Sequence, residues 1–250
     1  MSCFLVINMK SLVIVIPAHN EEFIIKQNVE LLIKYLVKIN LPVKWNVIVA
    51  ENGSTDKTID ELKKIKSKYF SWFTLPVRSR DKAIKDAWLK LKADYYMFLD
   101  ADLATDIKHI PRLVNEALRG WDIVGGSRRL KESVVDRTPF RKFMSFGFNL
   151  LMNMIFWTNI KDFQCGFKII NRKVRDEILP LTRHSDEGFM DTEIIVVARS
   201  FGYNFKEIPV KWTNDRPSKF NMVNQITFNL LNAFKIKRDL ILGRYKTINK

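Results

Sequence analysis

Residues 95–102 read YYMFLDAD. Five apolar residues, mostly aromatic, end at once in two carboxylates one residue apart. A continuous apolar run of this length is the signature of a strand buried on both faces. The run recurs on either side of it. Upstream, LVIVI (12–16) ends in PAHNEE (17–22), and NVIVA (46–50) ends in ENGSTD (51–56). Downstream, a strand at 122–125 ends in Gly126-Ser127-Arg128-Arg129. A short strand is predicted over 72–77. Helical spacing fills the gaps at 22–39 (Ile25, Val29, Leu32, Ile33, Leu36), 55–69, 82–91 and 107–118. Strands alternating with helices predict an α/β fold, with a mainly parallel sheet covered by helices on both faces. The second half is less regular. It reads as a helix at 139–157, a strand at 163–170, a helix at 188–201, a strand at 204–212 and a long amphipathic helix at 220–242.

In an open parallel sheet, ligands bind beyond the carboxyl ends of the strands. Any one of the polar clusters could be a turn. Four at one edge make a site. Asp100 and Asp102 offer hard oxygen ligands suited to Mg²⁺ or Mn²⁺ held together with substrate phosphates. The competing reading is a loop with helix-capping aspartates, as at Asp106. The chain has no GxGxxG and no GxxxxGK[ST], so dinucleotide and P-loop sites lose their central feature.

The 250 residues include 42 Lys and Arg against 27 Asp and Glu, a net charge of +15, and 47% are hydrophobic. That apolar content supports a core and excludes disorder for most of the chain. Cys3 and Cys165 stand alone, which excludes a disulfide scaffold and a cysteine zinc site. The positive charge asks for an anionic partner: nucleic acid, a phosphorylated small molecule or an anionic membrane surface. No stacking motif or recognition helix supports nucleic acid. The longest apolar stretch, 143–157, is interrupted by Asn149 and Asn153 and is too short to span a bilayer. The first seventeen residues lack a leader pattern. The expected location is the cytoplasm.

Together PAHNEE, ENGSTDKT, FLDADLAT (98–105) and GGSR (125–128) resemble the inverting family-2 glycosyltransferases of the GT-A, Rossmann-like fold. IKDFQCGFKIINR (160–172), FMDTEIIVVARSFGY (189–203) and EIPVKW (207–212) are similar to the polyprenyl-phosphate sugar synthases. DADLAT and KDFQCGFK look most like the dolichyl-phosphate glucose synthases. The resemblance spans about residues 11–220. It implies transfer of a hexose, glucose from UDP-glucose first, onto a polyprenyl (dolichyl) phosphate at the cytoplasmic face of a membrane. The alternatives are GDP-mannose or another UDP-sugar as donor. From other classes come a non-catalytic membrane subunit and a nucleic-acid-binding protein.

The resemblance also implies roles by position. Pro17, His19, Asn20, Glu21, Glu51, Gly53, Lys82, Asp100, Ala101, Asp102, Arg216 and Lys219 would meet the nucleotide sugar. Asp100 and Asp102 would hold Mg²⁺ or Mn²⁺. Arg128, Arg141 and Ser145 would face the acceptor phosphate, and Asp102, Arg128 and Arg141 would carry catalysis. Three positions depart from the pattern. Ala104 stands where mannose enzymes carry Gln, Asn52 where many relatives have a second Asp, and Arg216-Pro217-Ser218-Lys219 is a shortened form of the donor-closing loop.

A phosphate monoester is largely dianionic at neutral pH and needs positioning cations more than a base. Asp191 and Glu193 therefore keep two readings, a role near the acceptor or a structural one at a helix start. Residues 1–220 are expected to form the catalytic domain, with 137–157 as an acceptor and interface helix, and 221–250 a basic amphipathic helix. Residues 215–250 carry eight Lys and Arg against Asp215 and Asp239. Both helices suit a membrane interface, against core packing as the alternative. A separate membrane-protein partner is a further possibility. Lys63, Lys64, Lys66 and Lys68 read as a solvated face, His109 and His184 as surface or capping residues, Cys165 as a buried small hydrophobe, and Trp45, Trp72, Trp88 and Trp121 as core.

Overall fold

The structure, a computed structural model, describes residues 9–76, 78–136, 139–184, 188–213 and 222–246, without the side chains of 139–144 and 222–226. In chain order the first half runs β1 (Ser11–Ala18), α1 (Ile25–Ile39), β2 (Lys44–Asn52), α2 (Thr58–Lys63), β3 (Phe70–Leu75), α3 (Arg80–Lys90), β4 (Tyr95–Leu99), α4 (Ile110–Leu118) and β5 (Ile123–Ser127). The second half adds β6 (Val134–Val135), α5 (Pro139–Phe156), β7 (Phe167–Asn171), α6 (Arg172–Glu177), α7 (Met190–Ser200), β8 (Phe205–Pro209), β9 (Lys211–Trp212) and α8 (Met222–Ile241).

Seven strands form one sheet in the order β3-β2-β1-β4-β7-β5-β8, and β6 pairs with β9 beside it. β3, β2, β1 and β4 are mutually parallel. β7 runs antiparallel to both β4 and β5, and β8 is parallel to β5. All strands of this sheet except β7 therefore present their carboxyl ends at one rim. This is the predicted architecture, with the single reversed strand as the addition.

Alternation along the strands divides the core. Leu12, Ile14, Ile16, Val47, Val49, Met97 and Leu99 pack with α1 and α4 on one face. Val13, Val15, Ile48, Ala50, Tyr96 and Phe98 pack with α3, α6 and α7 on the other, where Trp88 is fully buried. The period of two along each strand forces this split. α5 and α8 pack together, and Phe148, Met152, Phe156, Ala233 and Ile236 join the second core. Trp45, Trp72 and Trp121 pack against the first core from partly buried positions.

Local differences from the predicted elements have physical causes. α2 stops at Lys63 rather than 69, because four lysines fall within 63–68 and like charges one turn apart oppose a continuing helix. The predicted strand 163–170 begins only at Phe167, its first residues being spent on a turn. The predicted strand 204–212 splits after Pro209 into β8 and β9, which join different sheets. α6 was not predicted. Its signal is Asn171, whose side chain caps the helix by accepting the Val174 N–H at 2.9 Å. Cys165 is buried and its thiol is pushed up to about 11 by burial. Iodoacetamide at pH 8 is expected to leave Cys165 unlabelled in the folded protein and to label it after denaturation, as read by peptide mapping.

Candidate active site

The loops after β1 and β2 are stitched together at the rim. The Asn20 N–H donates to Ser54 Oγ at 3.0 Å, and Thr55 N–H donates to Asn20 Oδ1 at 2.8 Å. The Glu21 N–H reaches Thr58 Oγ1 at 2.8 Å, and His19 Nδ1 lies 3.0 Å from the Asn52 carbonyl. Asp56 is partly buried, which raises its pKa, but hydrogen bonds from Thr58 and Glu22 outweigh this and hold it below the usual carboxylate range. Pro17 lies past the end of the β1–β4 pairing, which stops at Val15 opposite Phe98, so on that side its missing N–H breaks no ladder bond. Gly53, at φ +73°, makes the turn that returns the Ser54 N–H to Glu51 Oε1. Glu51 is fully buried, and among the described residues its Oε2 has no hydrogen-bond partner. An unpartnered buried carboxylate oxygen is costly unless something arrives to meet it.

The next strand in the sheet delivers the two aspartates. Leu103, at φ +51°, closes a tight turn with its N–H on the Asp100 carbonyl at 3.1 Å. The buried Ala101 offers its carbonyl to Asn28 Nδ2 at 2.8 Å, tying the turn to α1. Asp102 is exposed, and its Oδ1 accepts from the Ala104 N–H at 3.0 Å. Asp100 Oδ1 accepts from Arg80 Nε at 3.0 Å and Nη2 at 2.8 Å. Its Oδ2 lies against Gly166, where an added Cβ would sit 1.8 Å away.

Behind Asp100 lies a buried charge cluster. Arg80 also reaches Asp81 at 3.1 Å and Asp191 at 3.9 Å, and Lys168 lies 3.5 Å from Asp191. The Phe98 ring is shared by both cations, 5.0 Å from the Arg80 guanidinium and 5.9 Å from Lys168 Nζ. Burial would lower the Arg80 pKa, but the surrounding carboxylates outweigh it and keep the residue charged. Burial pushes the Asp81 carboxyl up, although it accepts the Gly188 and Met190 N–H groups. Asp191 Oδ1 is buried with no hydrogen-bond partner among the described residues. Glu193 is spent on the fold, accepting from the Arg183 and His184 N–H groups and from the Tyr245 hydroxyl at 2.7 Å. The pair left open by the sequence therefore divides: Asp191 faces the cluster, and Glu193 fastens the C-terminal segment.

Past β5, Arg128 closes a two-point pair with Asp162, Nε at 2.6 Å and Nη2 at 2.8 Å, and its N–H adds a third bond at 3.0 Å. This pair holds the Asp162 carboxyl down at about 2 against the upward pull of burial. Arg129 Nη1 lies 3.2 Å from Ser145 Oγ. The exposed Lys82 pairs with Asp86 at 3.5 Å on its own helix. His109 Nε2 accepts from the Lys211 N–H at 2.8 Å, and burial lowers its pKa. His184 Nε2 lies 2.7 Å from the buried Asp239. Arg216 and Lys219 lie outside the described residues, as does the side chain of Arg141, whose backbone belongs to α5.

The rim therefore gathers Pro17, His19, Asn20, Glu21, Glu51, Gly53, Asp100, Ala101 and Asp102 at the ends of adjacent strands. Sequence reasoning passed over Arg80, Asp162, Gly166 and Lys168. Three of these stand in KDFQCGFK, a quoted motif whose individual side chains pointed to no chemistry without their partners.

Among the described residues no group of three or more His, Cys, Asp or Glu could hold a metal. Two carboxylates at the mouth of a site fit Mg²⁺ or Mn²⁺, which keep waters and take the rest of their shell from substrate phosphates.

Comparison with known proteins gives a family and a fold. The family described as "Glycosyl transferase family 2" matches residues 13–179. A dolichyl-phosphate beta-glucosyltransferase of Trichomonas vaginalis is 32% identical, covering 85% of this chain and 69% of that protein. The human dolichyl-phosphate beta-glucosyltransferase is 31% identical, over 84% and 69%. Glycosyltransferase AglD of Haloferax volcanii is 30% identical over 85% of this chain, which spans about a third (35%) of that longer protein. Glucosyl-3-phosphoglycerate synthase from Mycobacterium tuberculosis, solved with Mn²⁺, UDP-glucose and phosphoglyceric acid, has the same fold at TM-score 0.68 and 15% identity, over 92% of this chain and 80% of that one.

Proposed function

The chain belongs to glycosyl transferase family 2, and from that premise we propose that it transfers glucose from UDP-glucose onto a polyprenyl phosphate of the dolichyl type at a membrane surface. The observation that carries this is the clamped turn at the end of β4, which sets Asp100 and Asp102 at the same rim of the sheet as Glu51, whose Oε2 has no hydrogen-bond partner among the described residues.

The nucleoside fits the wall made by the loops after β1 and β2. Glu51 Oε2 can accept an N–H or O–H from it, and His19, Asn20 and Gly53 shape the opening. Asp100 and Asp102 would hold the divalent metal, which would supply positive charge to offset what develops on the departing diphosphate. Arg216, Lys219 and Lys82 are further cations for that diphosphate. On the acceptor side, cations at Arg128 and Arg141, with Ser145, serve a dianionic phosphate that has no proton to lose. One of its oxygens forms the bond to the anomeric carbon. The bond from that carbon to the nucleotide breaks with its electron pair staying on the diphosphate, and the configuration inverts.

The membrane half of the proposal rests on two helices. α5 exposes Phe146, Leu150 and Met154 along one side, and Trp157, just past its end, is 87% exposed. α8, packed against it, exposes Leu231, Phe234 and Ile241 beside Lys235 and Arg238. Among the described residues no helix is long and apolar enough to cross a membrane. An outward apolar stripe flanked by cations suits lying in the interface on the cytoplasmic side.

The test is transfer itself. The protein is incubated with Mn²⁺, dolichyl phosphate and labelled UDP-glucose, GDP-mannose or UDP-N-acetylglucosamine in turn. Label is expected in the lipid phase from UDP-glucose, and Asp102→Ala is expected to lower that transfer at least about a hundredfold while keeping the thermal melt. Label from GDP-mannose alone would overturn the donor, and an unlabelled lipid phase would overturn the function.

A further inference from the structure

Asp191 is a buried carboxylate whose partners stand off from it. Its side chain is 5% exposed, and its Oδ1 has no hydrogen-bond partner among the described residues. Arg80 Nη1 lies 3.9 Å from its Oδ2 and Lys168 Nζ lies 3.5 Å from it, ion-pair distances rather than close hydrogen bonds. Lys168 Nζ donates instead to the Cys165 carbonyl. A carboxylate left in this condition is destabilising unless another state of the protein uses it.

Arg80 is the group that can reach it. Its donors are divided: Nε and Nη2 hold Asp100 Oδ1, while Nη1 donates to Asp81 Oδ1 at 3.1 Å. Asp81 is a fixed anchor, because its Oδ2 already accepts the Gly188 and Met190 N–H groups where the chain enters α7. The Phe98 ring, 5.0 Å from the guanidinium, gives it an apolar face to lie on. The guanidinium can therefore turn about its Asp81 contact, release Asp100 and close the gap to Asp191 without leaving the cluster.

Charge supplies the reason to turn. Two cations, Arg80 and Lys168, face three carboxylates, Asp81, Asp100 and Asp191. Of the three, Asp100 is the open one, its side chain 41% exposed. A divalent cation arriving at Asp100 and Asp102 would stand beside a guanidinium that already holds Asp100 Oδ1. Two cations on one carboxylate repel each other, and the arginine fork occupies lone pairs that the ion would take. Asp191 Oδ1 is the place in this cluster that can receive the arginine.

We infer that Arg80 is a positioning residue with two seats: it aims Asp100 before a divalent cation binds, and passes to Asp191 when the cation takes that carboxylate. Asp191 is then the counter-ion of the displaced arginine and not a base for the acceptor. The inference rests on the function proposed above, which assigns the cation to Asp100 and Asp102.

The experiment titrates Mn²⁺ calorimetrically into the full chain in saturating UDP. Asp191→Asn is expected to weaken Mn²⁺ binding about tenfold, because Arg80 then has no second carboxylate to take it and keeps competing for Asp100. The same substitution made on Arg80→Gln is expected to change Mn²⁺ affinity by no more than about twofold, since the competitor is gone. Arg80→Lys is the second background should the melt show Arg80→Gln to be poorly folded. There Asp191→Asn is expected to cost about threefold, because an ammonium keeps the charge without the fork. In crystals of the Mn²⁺ and UDP complex, an Arg80 nitrogen is expected within hydrogen-bond distance of Asp191 Oδ1, with the Nε bond to Asp100 broken. Equal losses from Asp191→Asn in the wild-type and Arg80→Gln backgrounds would overturn the handover, leaving only a loss of local negative charge. Lost transfer in Asp191→Asn with unchanged Mn²⁺ affinity would overturn it in favour of a role at the acceptor, and so would both Arg80 bonds to Asp100 persisting in the complex. Failure of wild type to bind Mn²⁺ in UDP would overturn the metal assignment itself and the handover with it. Mn²⁺ binding and transfer by wild type, with no coupling between Asp191 and Arg80, would strike the handover alone.

Discussion

Gly166→Ala is expected to reduce transfer at least about a hundredfold while leaving the melting temperature near that of wild type. The added Cβ would stand 1.8 Å from Asp100 Oδ2 and 2.5 Å from its Cγ. Two atoms cannot share that space. The backbone of residue 166 leads directly into β7, which is hydrogen-bonded on both sides, so it has little freedom to yield. The Asp100 side chain must swing away instead, and the two bonds from Arg80 go with it. The carboxylate then no longer points where the proposed metal and diphosphate would need it. A displacement of about 1 Å at a reacting centre is enough to cost two orders of magnitude. A decisive check is the double variant. Gly166→Ala combined with Asp100→Ala should be no worse than Asp100→Ala alone, because both remove the same carboxylate. Isothermal titration of Mn²⁺ in the presence of UDP should show the same weakening in all three. Wild-type turnover in Gly166→Ala would mean that Asp100 does not act from this position.

Asp162→Ala is expected to cost about 3–5 kcal/mol of folding stability, because it strands the buried Arg128 charge. That is a large part of what holds a domain folded. Asp162→Asn keeps the shape but not the charge and should cost less. Replacing both partners by apolar residues, Arg128→Met with Asp162→Leu, should recover most of the loss. Urea unfolding followed by tryptophan fluorescence reads all three. The pair also leaves a trace in acid. Asp162 titrates at about 2 in the folded protein against 3.8 for an unperturbed aspartate, so its stabilisation is complete above pH 3.8 and is lost as pH falls toward 2. The shift corresponds to about 2 kcal/mol. The stability of Asp162→Asn should be flatter than wild type across that window. An equal slope would remove the ion pair from the acid response.

The parallel core of the fold was legible because its strands are apolar without interruption, and only strands covered on both sides read that way. LVIVI, NVIVA and YYMFL each became a strand, and each handed its polar end to the same rim. The direction of β7 was not legible. FKII carries the same apolar pattern whether it runs with its neighbours or against them, and reversal follows from the connection rather than from composition. The aspartates of DAD were visible as a pair. Arg80 was not, because an arginine at a helix start looks solvated until the fold puts Asp81, Asp100 and Asp191 around it. The same holds for the two arginines of GGSRR. Nothing in their order tells which one finds Asp162 thirty-four residues later.

The seam between the first two rim loops has an energetic corollary. Loops that order around a small molecule charge their lost conformational freedom against affinity. Here Asn20, Ser54, Thr55 and Thr58 already hold one another, so that freedom is surrendered during folding rather than on encounter. A nucleoside binding there, as proposed, would meet a rigid mould, and its grip would depend on what it touches rather than on what it must first arrange.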